Sequence, residues 1–173
     1  MNNPIHILLD EHAVLLKAVE SSHMLQKVTD DTSYRNLLHD VILFFRNFTE
    51  TYHHPKEEDF LYPLLRNRSE NMNEKFIKEI CDNHEDFKSL MADTENFYVS
   101  YNFKMLRSTF GAYLKLMKDH ILRENTIVLS VAEQMLTQDE LKSIAQHFKN
   151  LDEKNGEKEE LIKNFKKISL QFA

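Results

Sequence analysis

The sequence predicts an all-α protein, an up-down-up-down four-helix bundle with a short fifth helix and a C-terminal helical tail. Three observations predict it. The chain holds only 2 Gly and 3 Pro in 173 residues, against about 20 at ordinary usage. That is too little punctuation for a sandwich or barrel built on tight turns. Apolar residues recur at three- and four-residue spacing through four long stretches. The connections between these stretches are short, which makes sequential helices antiparallel neighbours.

Asn3 suits a cap and Pro4 the first helical position; Ile5, Leu8, Leu9, His12, Leu15, Leu16 and Val19 then repeat at helical spacing to about Val28. The cluster Thr29-Asp30-Asp31-Thr32-Ser33 breaks and recaps the chain. A second helix runs from about Tyr34 through Ile42, Phe45 and Phe48 to about Arg66. Pro55 in its interior lacks a backbone donor and predicts a bend near Thr51. Residues 67–71 read as a turn. The third helix covers about Asn73 to Tyr98, with Ile77, Ile80, Cys81, His84, Phe87 and Met91 on one stripe. The fourth runs from about Phe103 to Met135, with Tyr113, Leu116, Met117, His120, Glu124, Ile127, Val128 and Val131 on another. Thr137-Gln138-Asp139-Glu140 is a capping box that opens the fifth helix, to about Lys149. Residues 152–158 read as a charged linker, and residues 159–172 as a weakly amphipathic final helix, docked or frayed. The bundle domain is therefore expected over residues 1–150, with a linker and terminal helix over 151–173.

Composition excludes several functions. The two glycines, Gly111 and Gly156, lie far apart, so no phosphate-cradling loop, dinucleotide fingerprint or Gly-flanked nucleophile elbow exists. A single cysteine, Cys81, excludes an internal disulfide framework and every multi-Cys metal motif. The formal charge of -6 argues against a nucleic-acid or anionic-membrane surface. No apolar run reaches the ~20 residues of a membrane span, and the N-terminal stretch is broken by Asp10, Glu11 and His12. A cytoplasmic protein with no nucleic-acid or membrane partner is expected, with an unusual stock of nine histidines.

Those histidines are not scattered. Each long helix sets one inside its apolar stripe: His12, His53, His84 and His120. Two helices add a carboxylate four residues on, Glu57 and Glu124, one turn away on the same face. Counted from the expected turns at ~1.5 Å per residue, the four histidines share one depth within ~8 Å. Burying ionised glutamates among Phe60, Leu61, Leu64, Ile121 and Ile127 is costly unless a cation compensates. Imidazole with carboxylate suits iron, manganese or zinc. His54, Glu58 and Tyr113 are additional candidates, for the metal or for a hydrogen bond to one of its ligands. On a regular helix His54 points about 100° away from His53, towards solvent, unless the bend at Pro55 redirects it. His23 lies eleven residues beyond His12, about 16 Å along the helix, too far to join. His6, His39 and His147 read as ordinary surface histidines, and Cys81 as a small core residue.

The stretch His53-His54-Pro55-Lys56-Glu57-Glu58-Asp59-Phe60-Leu61-Tyr62-Pro63 resembles the second-helix motif of hemerythrin-like (HHE cation-binding) domains, a His-x-x-x-Glu pair followed by a second acid and Leu-aromatic-Pro. Asp10-Glu11-His12 is similar to the family's Glu-His, Asn83-His84-Glu85 to its third-helix histidine, and Asp119 to Asn125 to its fourth-helix His-x-x-x-Glu-Asn. The similarity spans about Ile5 to Phe148. It implies a non-haem di-iron centre, two iron ions bridged by Glu57 and Glu124 with His12, His53, His84 and His120 as terminal ligands. Oxygen-carrying hemerythrins have a His-x-x-x-His pair on the third helix, where His84 here has Ile80 and Lys88 at those offsets. They also end in His-x-x-x-x-Asp, where this chain has the shorter His-x-x-x-Glu. One nitrogen ligand is thus missing or supplied elsewhere; some hemerythrin-like domains recruit the residue that is His54 here.

The functional expectation is a di-iron protein that binds oxygen or nitric oxide for sensing, scavenging or storage rather than bulk transport. The alternative is a di-iron oxidase or peroxidase-like enzyme, or an iron-handling or iron-centre repair protein. A plain helical interaction module leaves the two buried His-Glu pairs unexplained.

Overall fold

The computed structural model describes residues 3–66, 68, 72–156 and 158–171, and every regular element among them is helical. The first helix, α1 (Pro4–Leu25), starts where Asn3 accepts a hydrogen bond from the Ile5 N–H at 3.0 Å. Asp30 does the same for Ser33 N–H at 2.7 Å and opens α2, residues 31–65. Asn73 caps α3 (Glu74–Val99) through the Phe76 N–H, and Asn102 caps α4, residues 103–135. The capping box of Thr137 and Glu140 opens α5 (Gln138–Asn155), and α6 (Lys158–Ser169) follows. Each such cap answers backbone donors that a helix start leaves unpaired, worth about 1 kcal/mol apiece.

Two differences from the sequence reading stand out, and one open alternative is settled. Helix α5 is not short: it runs six residues past Lys149 to Asn155, and Gly156 at φ 58° ends it. The expected linker at 152–158 is thus mostly the last turn of a helix, whose polar Asp152 looks loop-like only because its charge partners come from elsewhere in the fold. The final helix is docked, with Phe165 buried and its ring 4.3 Å from Phe44. The turn expected at 67–71 lies outside the described residues apart from Arg68, and so does the expected end at Phe172.

Pro55 does more than bend α2. The helix passes from Asp31–Asn47 into a π turn at Phe48–His53, one α turn at His54–Lys56, a second π turn at Glu57–Leu61 and a last α turn at Tyr62–Leu65. Pro55 has no N–H for the Thr51 carbonyl four residues back; Asn155 Nδ2 donates to that carbonyl at 2.8 Å. Helix α4 carries a third π turn, Glu124–Val128, without a proline. Single π turns concentrate at functional sites. These begin or end at His53, Glu57 and Glu124.

Helices α3 and α4 form the most extensive pairing, while α1 packs against α2, α4, α5 and α6. The apolar interior is divided. One cluster gathers Leu15, Val19, Phe45, Phe48, Phe110 and Met117, with Phe165 from α6; the other gathers Ile5, Leu8, Leu61, Ile80, Val128 and Phe148. Between them on every long helix lies a layer of buried polar side chains: Glu11, His12, His53, His54, Lys56, Glu57, His84, His120 and Glu124.

A candidate metal centre in the polar layer

The layer brings His12, His53, Glu57, His84, His120 and Glu124 together with His54. His12, His53, Glu57 and Glu124 offer ligand atoms that all lie within 4.8 Å of one another, and so do Glu57, His84, His120 and Glu124. Both glutamates belong to both groups. His54, His84 and His120 make a third group by the same measure.

Three of the histidines are aimed by their other nitrogen. His12 Nδ1 lies 2.6 Å from Asn125 Oδ1, His53 Nδ1 3.2 Å from Glu11 Oε2 and His84 Nδ1 2.6 Å from Glu58 Oε1. All three partners are acceptors, so Nδ1 donates and the neutral ring presents the Nε2 lone pair inward. From there His12 Nε2 stands 3.5 Å from Glu57 and 3.2 Å from Glu124, and His53 Nε2 3.6 Å from Glu57. His84 Nε2 is 3.7 Å from the other Glu57 oxygen, and His120 Nε2 3.1 Å from Glu124. Two donors that each lie about 2.1 Å from one ion are left with comparable separations.

A cation would answer the burial of this set. His12 Nε2, His53 Nε2, both Glu57 oxygens, Glu124 Oε2 and both His54 nitrogens are buried without a hydrogen-bond partner. Each such atom costs about 1–3 kcal/mol. The nitrogen and oxygen donors fit iron, manganese or zinc. With protons alone, burial would lower the His12 pKa, but Glu124 and Glu57 outweigh it and push it up to about 10. Burial likewise works to raise Glu124, while His120 and His12 hold its carboxyl well below the usual range. Burial, reinforced by the neighbouring His84, keeps His54 well below its ordinary value, hence neutral with a free lone pair.

His54 is the largest local surprise. The π turn swings it inward, where its ring stacks on His84 at 3.8 Å and 9°. Lys88, at the offset of the absent second third-helix histidine, points outward to Glu85 at 2.7 Å. Glu58 is half-buried and orients His84. Tyr113 is buried against Phe45 and Phe87, and Phe87 in turn packs on His120. The hydroxyl that reaches the layer is instead that of Tyr62, which donates to Glu124 Oε1. Burial and the charges of Glu124 and Glu57 raise its pKa well above the usual phenol value, so it remains a donor.

Sequence reasoning passed over Lys56, Tyr62 and Asn125, and weighed Glu11 only as half of a motif. Lys56 is fully buried and bonds Glu11 Oε1. Burial works to raise Glu11, but His53, Lys56 and Lys158 together lower it to about 2. Asn125 and Tyr62 stood within the motifs, as the Asn of His-x-x-x-Glu-Asn and the aromatic of Leu-aromatic-Pro, which was the available signal.

The model of the hemerythrin HHE cation-binding domain matches residues 3–132. The chain belongs to the hemerythrin family. No match was found among curated proteins or solved structures. Hemerythrin domains bind metal cations, typically iron, and small ligands such as oxygen. The match stops at 132, short of the Phe148 limit expected from the motifs, and leaves α5 and α6 uncovered. Among the described residues, no helix is long and apolar enough to cross a membrane.

Proposed function

We propose that this hemerythrin-family chain holds a non-haem di-iron centre within an up-down-up-down four-helix bundle and binds a small diatomic ligand, oxygen or nitric oxide, for sensing, scavenging or storage. The sharing of Glu57 and Glu124 between two histidine groups carries the reading. His12 and His53 with both glutamates hold one ion; His84, His120 and His54 with the same glutamates hold the other. The iron pair, when bound, supplies the ligand-binding and redox chemistry.

The protein's own residues supply the rest. Asn125, Glu11 and Glu58 fix the imidazole tautomers, and Tyr62 hydrogen-bonds one bridging carboxylate. The two apolar clusters above and below the layer keep water and anions from the ions. Counting donors, the His12/His53 position has the fewer protein ligands, so it is the one left open to an outside ligand. In this reading the protein works in the cytoplasm, and its single Cys81 takes no part.

The test is iron analysis of protein purified without oxygen, followed by exposure to oxygen and, separately, to nitric oxide, with visible spectra and released iron recorded. Two irons per chain and a reversible spectral change are expected. Irreversible oxidation with iron release favours iron handling, and turnover of added substrate favours an oxidase or peroxidase. Protein that takes up no iron overturns the proposal.

A further inference from the structure

The family match ends at residue 132, yet chain beyond it reaches the centre. Lys158, the first residue of α6, directs Nζ to Glu11 Oε1 at 2.9 Å and to Asp152 Oδ2 at 2.8 Å. Lys56 joins the same two carboxylates, meeting Glu11 Oε1 and, at 2.7 Å, Asp152 Oδ1. Two lysines and two carboxylates thus close a ring of alternating charge. It is sheltered: the Lys56 side chain is 0% exposed and that of Lys158 15%. The remaining Glu11 oxygen is the one that faces His53 Nδ1.

A second grip lies just before α6. Asn155 Nδ2 donates to the Thr51 carbonyl, and the Tyr52 hydroxyl donates to the Asn155 carbonyl at 3.2 Å. The C-terminal segment therefore holds both the π turn that carries His53 and the acid that orients it. Lys56 belongs to the same helix as His53 and cannot leave it. Lys158 sits on a separable element, anchored further along by Phe165.

Resting on the di-iron reading, we propose that α6 is a latch on the His12/His53 half of the centre. Docked, its Lys158 fixes Glu11 against His53 and tightens the ion there; undocked, it releases that ion. The coupling is reciprocal: the factor by which docking tightens the ion is the factor by which the ion favours docking. The His84/His120 half, oriented through Glu58, serves as an internal control.

Ferrous iron is titrated anaerobically into wild type, Lys158→Met, Lys158→Arg and Phe165→Ala, and loss to a chelator is followed ion by ion. Trypsin cleavage at the exposed Lys163, Lys166 and Lys167 reports undocking, and circular dichroism confirms that each variant stays helical. Lys158→Met and Phe165→Ala are expected to lose one of two ions about 10–100-fold faster, the size usual for partners of ligand histidines, with the other ion at the wild-type rate. Lys158→Arg restores slow loss, and iron slows cleavage of the wild-type tail by a similar factor. A two-iron wild type whose variants lose neither ion faster, or both equally, overturns the latch alone, as does cleavage indifferent to iron. A wild type that takes up no iron overturns the di-iron reading and the latch with it.

Discussion

His12 and His53 are oriented by Asn125 and Glu11, the latter locked in a ring of buried charge, whereas His84 leans on Glu58, whose side chain is 36% exposed, and His120 Nδ1 has no partner. The first half is fixed from outside by other helices. The second is completed from within, by a third imidazole that a π turn stacks onto His84. A centre can thus be stiff on one side and richer in nitrogen on the other while both sides share two carboxylates. On the proposed reading the His12/His53 side, with fewer donors, is the one that would take an exchangeable ligand, because hydrogen bonds to Asn125 and Glu11 keep its imidazoles in position when that ligand leaves.

The largest effect comes from breaking what the halves share. Glu124→Ala is expected to empty both positions, because its carboxylate faces His12 and His120 alike. Metal at about 1,000 times its dissociation constant adds roughly 4 kcal/mol to stability; the variant loses that increment, read as an unfolding midpoint indifferent to iron. Two ions retained at wild-type affinity contradict the bridging role.

His54→Ala separates the halves. The ion beside His84 and His120 weakens and the ion beside His12 and His53 stays, an outcome that chelator competition with an iron count per chain resolves. Should both ions hold as firmly as in wild type, His54 is a stacking partner only and the nitrogen asymmetry disappears.

The smallest effect is a matter of pH. In metal-free protein the raised His12 pKa stabilises the fold fully below about 6.5, and that contribution is lost as pH rises through about 10. The midpoint advantage of metal-free wild type over His12→Gln should therefore shrink between pH 7 and pH 10. Each 1 kcal/mol of it corresponds to roughly 2–4 °C. Iron-loaded wild type lacks this slope because the proton has been displaced. An advantage that grows with pH has the wrong sign for a raised pKa.

The helices and the clustering of the histidines were legible because both are periodic: His53 with Glu57 and His120 with Glu124 repeat at one helical turn, and cap residues at Asn3, Asp30 and Thr137 announce three of the starts. What makes the site asymmetric was not. Lys56 shares a face with Tyr52 and His53, but nothing in its own helix offers its charge a partner; the acids of α1 and α5 arriving on either side do. His54 was left open between a metal ligand and an outward-facing group, because Pro55 announced a disturbance of the α geometry without its form. Asp152 looked like linker because its partners are more than 90 residues away, at Lys56, or in the next helix, at Lys158.

The three π turns carry a consequence in residue count. Such a turn closes its hydrogen bond over five residues rather than four, so the helix holds one residue more than its length requires. Delete one residue from Phe48–His53, and the ladder returns to α register with the two flanks still aligned, while the residues of the turn itself, His53 among them, change the direction they face. The helix would survive, still capped by Asp30 and still amphipathic, with His53 turned from His12. The aim of His53 therefore hangs on a surplus single residue that a helix tolerates without needing it, and the loss of one codon would leave a sound scaffold with its polar layer out of place.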